Sequence, residues 1–250
     1  SASMGDTATI TGNPTFMGSA TAGLNATIDG NVSVVGSYSP TGDSTITGDL
    51  EVSGKITPAG TVGGTMSVGG NMMMDAGGAV VWIGGGNKVA VTGALDLSND
   101  WVIELTPPGV VAPATYDLFD YGTLTAETLG AIVAGDFTNV ALTPPADSPY
   151  SDLINMTTSK VIDNGTGKVQ LVIDGTDAAI WDGSTGTDWA TAGNWVDSIA
   201  PSTTVAAVVD SSAGSTPLLS GAADANTLII DGARFYYSMM GLMSGRVTIG

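Results

Sequence analysis

The chain contains neither histidine nor cysteine in its 250 residues. That removes the side chains that most often serve as neutral-pH base, thiolate nucleophile or soft metal ligand. Ser-His-Asp, Cys-His and His-metal arrangements are therefore excluded. Carboxylates remain: 21 aspartates and three glutamates, Glu51, Glu104 and Glu127. A pair of them could hydrolyse a glycosidic bond, yet the spacing nominates no pair. Carbohydrate-processing sites also use arginine, and the chain has two, Arg234 and Arg246. The expectation is a protein that is not an enzyme.

Other chemistry is better placed. Asp174, Asp177, Asp182 and Asp188 fall within 15 residues among glycines. Hard cations take several oxygen ligands from flexible acidic turns, so this tract is a candidate calcium site and calcium the one cofactor suggested. The alternative is that these aspartates cap turns and keep the surface soluble. Trp181, Trp189 and Trp195 share the tract; their indoles either stack on sugar rings or pack over an end of the β-structure. In the run Met72-Met73-Met74, neighbours on a strand must point to opposite faces. Some therefore fill core space while at least one lies outside. Met72 and Met74, with Val247 and Ile249 near the last residue, are the candidate self-association residues. Met239, Met240 and Met243 are further candidates for irregular core space. Asn25, Asn31, Asn155 and Asn164 each open an Asn-x-Ser/Thr sequon. Gly84-Gly85-Gly86 lacks the lysine, hydroxyl residue and helix of a phosphate-cradling loop.

The elements that position these groups are short strands. Aspartate outnumbers glutamate sevenfold and is joined by 36 glycines and 11 prolines. Aspartate, glycine and proline favour turns, so the composition describes strands joined by tight turns. Thr9-Ile10-Thr11-Gly12-Asn13 recurs as Thr27-Ile28-Asp29-Gly30-Asn31 and Thr45-Ile46-Thr47-Gly48-Asp49, with the glycines 18 residues apart. Alternating strands follow, Val32-Ser33-Val34 and Leu50-Glu51-Val52. The spacing then loosens at Gly70-Asn71 and Gly86-Asn87. Such a period suits one coil of a β-solenoid, with Gly or Asn adopting positive φ at each corner. A run of plain hairpins is the alternative. Further on, Trp101–Leu105 and Thr115–Tyr121 read as strands, and Pro107-Pro108, Pro144-Pro145 and Pro149 as breaks. Thr125 to Val133 is the one plausible helix, capped by Thr125. Val161–Asp163 and Lys168–Ile173 flank a Gly-rich turn at Asn164-Gly165 and read as a hairpin. Thr227–Ile230 is a strand ending at an Asp231-Gly232 corner, and Val247–Gly250 looks like the start of another coil.

Three stretches carry a family resemblance: the Thr-Ile-x-Gly-Asn/Asp repeat, Ala114-Thr-Tyr-Asp-Leu-Phe-Asp-Tyr-Gly-Thr-Leu124, and the tract Ile180-Trp-Asp-Gly-Ser to Asp188-Trp-Ala-Thr-Ala-Gly-Asn-Trp195. Together they resemble secreted bacterial β-helix proteins of the autotransporter-associated strand-repeat type. The resemblance implies an extracellular passenger, fibre or surface-layer component and implies no catalytic residues. Thr45–Gly54 also looks like the shafts of phage tail fibres.

The expected fold is all-β. Its N-terminal part is a β-solenoid or β-helix, and its C-terminal part an irregular β-rich region, either sandwich-like or continued solenoid. Residues 1–100 would hold the Gly-Asn/Asp repeat, 101–175 a strand-rich segment with one short helix, and 176–250 the Trp/Asp/Gly tract and a return to short strands. A net charge of −18 argues against nucleic acid, which demands clustered lysine and arginine. No apolar run approaches the roughly 20 residues that span a bilayer, so membrane insertion is not expected. Ser1-Ala2-Ser3 is compatible with an end left by signal peptidase, and the expected location is secreted, extracellular or at the cell surface. The expected function is a structural subunit of a filament, sheath or surface layer, a homo-oligomer or polymer. An adhesin or glycan-binding module and a phage-type fibre shaft are the alternatives.

Overall fold

Short alternating segments become strands here because each places one side chain in a shared interior and the next outside. In Val32–Val34, Leu50–Val52 and Met72–Met74 the outer two residues are buried and the middle one is not. The computed structural model describes residues 1–58, 64–82, 86–105, 114–143, 153–210, 214–219, 223–231, 236–237 and 243–249. Gly84-Gly85, Pro107-Pro108, Pro144-Pro145, Pro149, Gly232, Met239, Met240 and Gly250 lie outside the described residues. The chain divides into two compact units. One comprises Ser1–Val110, Ala114–Pro145 and Ser159–Val172, the other Val111–Pro113, Ala146–Thr158 and Ile173–Gly250.

The first unit is a β-solenoid. Its first face is a parallel sheet of seven strands, in spatial order Ala2–Ser3, Ser19–Ala22, Ser37–Pro40, Lys55–Ile56, Ala79–Trp82, Trp101–Leu105 and Val140–Thr143. Thr9–Thr11, Ala26–Asp29, Ser44–Ile46 and Thr65–Val68 stack as a second column. Thr15–Phe16, Val32–Val34, Leu50–Val52 and Met72–Met74 form a third. The two columns merge in the long strand Lys88–Asp96, which pairs with both and then with Ala114–Leu124. In-register parallel stacking lines up like with like, so the core is a set of columns. Ile10, Ile28, Ile46, Val68 and Val91 follow one another, as do Val32, Leu50, Met72 and Leu95. From Ile28 and Val32 onward every member is buried.

The Gly-Asx corner is held by a side-chain ladder. The Oδ1 of Asn13 accepts from the backbone N of Asn31 at 2.9 Å, and Asn31 Oδ1 from Asp49 N at 2.9 Å. Asp49 Oδ1 accepts from Asn71 N at 2.7 Å, and Asn71 Oδ1 from Ala94 N at 2.8 Å. The rungs are separated by 18, 18, 22 and 23 residues. Two corrections follow. The fifth rung is Gly93-Ala94, whereas Gly86-Asn87 was expected. Asn87 belongs to another corner, where its buried Oδ1 accepts from Gly64 N at 3.1 Å. That corner also uses acidic side chains, with Asp43 Oδ1 accepting from Thr65 N and Asp6 Oδ1 from Leu24 N. A Gly-Asx pair therefore marks a corner without saying which. The second correction concerns why glycine stands in this column. Gly12 and Gly30 have φ of +119° and +149°, but Gly48 and Gly70 need no such backbone. There the requirement is space: a Cβ on Gly48 would lie 2.2 Å from Asn31 Oδ1, and one on Gly70 2.3 Å from Asp49 Oδ1.

Beyond the stacked coils the first unit turns antiparallel. Thr125 caps a short helix, Ala126–Gly130, its hydroxyl accepting from Thr128 N at 3.2 Å. Lys160–Asp163 and Lys168–Ile173 pair antiparallel around Asn164-Gly165, where Gly165 adopts φ +69°.

The second unit repeats the parallel logic. Ala178–Ile180, Ala206–Asp210, Ala223–Asp231 and Met243–Ile249 form one sheet in that order, every pair parallel. Parallel strands require long crossovers, so of the two arrangements expected for this region the structure takes stacked coils over an antiparallel sandwich. Two short strands, Leu218–Leu219 and Tyr236–Tyr237, make a second parallel pair.

Candidate functional site

Three of the four aspartates of the C-terminal tract serve separate turns through their side chains. Asp174 Oδ1 accepts from Gly175 N at 2.9 Å, and its other oxygen accepts from the Thr158 hydroxyl. Asp177 is exposed at the start of the parallel sheet, its carbonyl accepting from Ala206 N. Asp182 Oδ1 holds Ser184 N at 2.9 Å. Asp188 accepts from Ala190 N and from the Thr191 hydroxyl. Among the described residues no three acidic, histidine or cysteine side chains gather into a group that could hold a metal ion.

The three indoles do come together, inside the second unit. Trp181 and Trp195 are 1% exposed and Trp189 is 6% exposed. Trp195 meets Trp181 edge-on at 5.0 Å and Trp189 edge-on at 4.8 Å between ring centres. Trp181 Nε1 donates to Ser215 O at 2.6 Å and Trp195 Nε1 to Trp189 O at 2.9 Å. Buried asparagine Asn194 fixes the surrounding loop, accepting from the Thr185 N and hydroxyl and donating to Asp188 O. Ala179, Ala207, Val209, Ala225 and Leu228 complete the buried cluster. Of the two roles read for these residues, packing is the one their burial matches.

Of the candidate self-association residues, Met72 and Met74 point into the solenoid and are 1% and 0% exposed. They stack on Leu50 and Val52, and an interior side chain offers no surface to another molecule. Met73 is the outward member of the run. Val247 and Ile249 lie on the last strand of the parallel sheet, opposite Leu228 and Ile230. Among the described residues that strand has one neighbour, Ala223–Asp231.

A polar network that the sequence did not reveal braces the hairpin of the first unit. Lys168 Nζ and Gln170 Nε2 both donate to Asp117, and Lys88 pairs with Asp120 at 2.5 Å. The hydrogen bond from Lys168 holds the Asp117 carboxyl below its ordinary value. Tyr121 donates to Asp163 at 2.7 Å; burial and the adjacent carboxylate push its phenol up to about 12. The arrangement carries charge pairs between strands.

The first coil differs from those that follow it. Its strands Ala2–Ser3, Thr9–Thr11 and Thr15–Phe16 each have a neighbour on one side among the described residues. Ala2 is exposed and Ile10 and Phe16 half-buried, whereas their column-mates Ala20, Ile28 and Val34 are buried. Met17 is 78% exposed. A shallow depression of about 240 Å³ opens on this end, lined by Ala2, Thr15, Phe16, Met17 and Ser19 among others. Beside it runs a second glycine column, Gly18, Gly36 and Gly54, whose 18-residue spacing stands in the sequence beside the Gly-Asx repeat. A Cβ on Gly36 would lie 2.4 Å from Gly18 O, and one on Gly54 2.0 Å from Gly36 O. One on Gly18 would meet nothing within 4 Å.

No protein-family model, no curated protein and no solved structure matches this chain.

Proposed function

We propose that the chain is a structural subunit of an extracellular assembly, a filament, sheath or surface layer built by self-association of β-rich copies, with no catalytic role. The observation that carries this reading is the solenoid of the first unit, whose short strands stack parallel and in register, coil on coil, in columns of like residues. Repeat stacks of this kind lengthen by adding units that touch only their neighbours. The resemblance to secreted bacterial β-helix proteins of the autotransporter-associated strand-repeat type agrees with the solenoid and supports an exported location. A net charge of −18 suits a protein that must stay soluble in saline or calcium-containing surroundings. The glycan-binding alternative has less behind it, because the indoles that would stack on sugar are buried.

Sedimentation velocity and negative-stain electron microscopy at neutral pH, over a wide concentration range and with and without calcium, test the proposal. Ordered particles that lengthen with concentration are expected. A chain that stays monomeric throughout refutes it.

A further inference from the structure

We infer that Asn164 is a self-modification site: the hairpin turn around it promotes loss of ammonia from its side chain and leaves aspartate or isoaspartate in its place. The inference does not depend on self-assembly.

Asn164-Gly165 is the one Asn-Gly pair in the chain. Ring closure at an asparagine requires the next backbone nitrogen to reach the side-chain carbonyl carbon, and a glycine, lacking Cβ, leaves that approach open. Gly165 has φ +69°, and a Cβ there would meet nothing within 4 Å. Other asparagines lack this setting. Asn13 precedes Pro14, which has no N–H to lose. Asn31 precedes Val32, which is β-branched and donates its N–H to Asp49 O at 2.8 Å. Asn155 accepts from Thr157 N at 3.1 Å in a similar turn but precedes the bulky Met156.

Two features of the turn act on the reacting atoms. Asn164 Oδ1 accepts from the Thr166 N and hydroxyl, both at 2.9 Å, and from Lys168 N at 3.2 Å. Three donors on one oxygen polarise the carbonyl and stabilise the negative charge it gains when a nucleophile adds. The N–H that must be lost, that of Gly165, donates to Asp163 Oδ1 at 3.0 Å, within the reach of a general base. Tyr121 donates to the same carboxylate oxygen at 2.7 Å, and Asp163 N donates to Gly135 O at 2.9 Å, so Asp163 is held in place. Gly165 and Thr166 are exposed, which gives water access to the product.

The atoms balance. A bond forms between Gly165 N and Asn164 Cγ while Asp163 takes the amide proton. The Cγ–Nδ2 bond then breaks, and the nitrogen leaves with that proton as ammonia, giving a five-membered succinimide. Water opens the ring at Cγ to give aspartate, or at the backbone carbonyl carbon to give isoaspartate. The isoaspartyl link lengthens the main chain between Lys160–Asp163 and Lys168–Ile173 and displaces the oxygen that holds Thr166 and Lys168. The turn therefore records the age of the folded chain and loosens as it does so.

The test uses the full chain: wild type, Asp163→Asn, Thr166→Val, Thr166→Ser and the control Asp136→Asn, which breaks the ion pair with Lys160 without touching the reacting atoms. Each is incubated at neutral pH, folded and in concentrated urea, and the tryptic peptide Val161–Lys168 is followed by mass spectrometry. Wild type should react at least about tenfold faster folded than unfolded. In the folded chain Asp163→Asn should slow the reaction at least about tenfold, and Thr166→Val at least about threefold. Thr166→Ser, which keeps the hydroxyl, and Asp136→Asn should both keep the wild-type rate. Folded wild type that reacts no faster than unfolded overturns the inference, because the fold then protects the asparagine. So do Asp163→Asn and Thr166→Val at the wild-type rate, which leave only the intrinsic lability of an Asn-Gly pair. An Asp136→Asn variant as slow as Asp163→Asn also overturns it, since any loosening of the hairpin would then suffice.

Discussion

Replacing Gly54 by alanine should destabilise the first unit by about 3–5 kcal/mol, and the structure says where that figure comes from. The new Cβ would lie 2.0 Å from Gly36 O, 2.3 Å from Val35 O and 2.6 Å from Val35 C. All three are backbone atoms, so no side chain can swing away. Relief requires the coil to lift by about 1 Å, against a strand spacing of roughly 4.8 Å. Lifting breaks or stretches the bonds from Gly54 N to Val34 O at 2.9 Å and from Lys55 N to Gly36 O at 2.8 Å. Two such bonds contribute about 1 kcal/mol each, and the residual crowding costs about 1–3 kcal/mol more. The same substitution at Gly18, in the same column but facing open space, should change stability by less than about 0.5 kcal/mol. Urea unfolding followed by hydrogen exchange of the amides between Ser19 and Met74 reads this unit separately. With a slope of about 2–3 kcal/mol per molar urea, Gly54→Ala should lower the midpoint by about 1–2.5 M. Equal midpoints for the two variants would refute the argument that close coil approach, rather than backbone conformation, selects glycine in this column.

Asn31→Ala should cost about 1–2 kcal/mol, since it strands the Asp49 N–H that Asn31 Oδ1 now accepts; Asn31→Asp keeps the acceptor and should recover most of the loss in the same urea assay. Trp181→Ala should lower stability by about 3–5 kcal/mol through the cavity it opens among Trp189, Trp195 and Leu228, read by thermal unfolding of the second unit. Asp117 is held below its ordinary value of 3.8 by Lys168. A carboxylate with a depressed folded value stabilises above its unfolded value, and that contribution disappears as pH falls through the folded one. The stability gap between wild type and Asp117→Asn should therefore be constant near neutrality and shrink below about pH 4; a gap that persists to strongly acid pH contradicts the pairing. Tyr121 works in the opposite range. Its phenol is raised to about 12, so above the ordinary value of 10.0 the unfolded chain ionises first and wild-type stability should fall with rising pH. Tyr121→Phe should show a shallower fall between pH 10 and 12 in alkaline unfolding followed by circular dichroism.

Much of the solenoid can be read from the chain because in-register stacking forces the same residue type to recur at the same phase. Thr-Ile-x-Gly-Asx at 18-residue spacing and the triplets Val32–Val34 and Leu50–Val52 declare both the corner and the inward positions. The Thr125 cap and the Asn164-Gly165 turn are legible for a simpler reason, as each is decided within four or five residues. Other features escape because the deciding contrast is missing. Three methionines in a row have no polar member to mark the outside. Only superposing Asn71-Met72-Met73-Met74 on Asp49-Leu50-Glu51-Val52 assigns Met73 to Glu51's outward place. Asn87 looks like the next rung because side-chain acceptors serve more than one corner, and the lengthening of coils to 22 and 23 residues hides the true one at Gly93. The burial of the three indoles depends on crossovers that bring Ser215 and Leu228 to them, contacts that no local pattern encodes. Nor does composition separate aspartates that each cap their own turn from aspartates that converge on an ion.

Because each rung of the ladder binds only the rung before and after it, the coil is also a unit of measure. Deleting or duplicating one 18-residue coil between Gly12 and Gly48 removes or adds a complete set of three strands and one asparagine acceptor, and the flanking coils meet partners of the same kind as before. Each such step changes the length of the stack by about 4.8 Å. The stack can therefore change by whole coils, its length moving in fixed increments while the coils on either side keep their pairing.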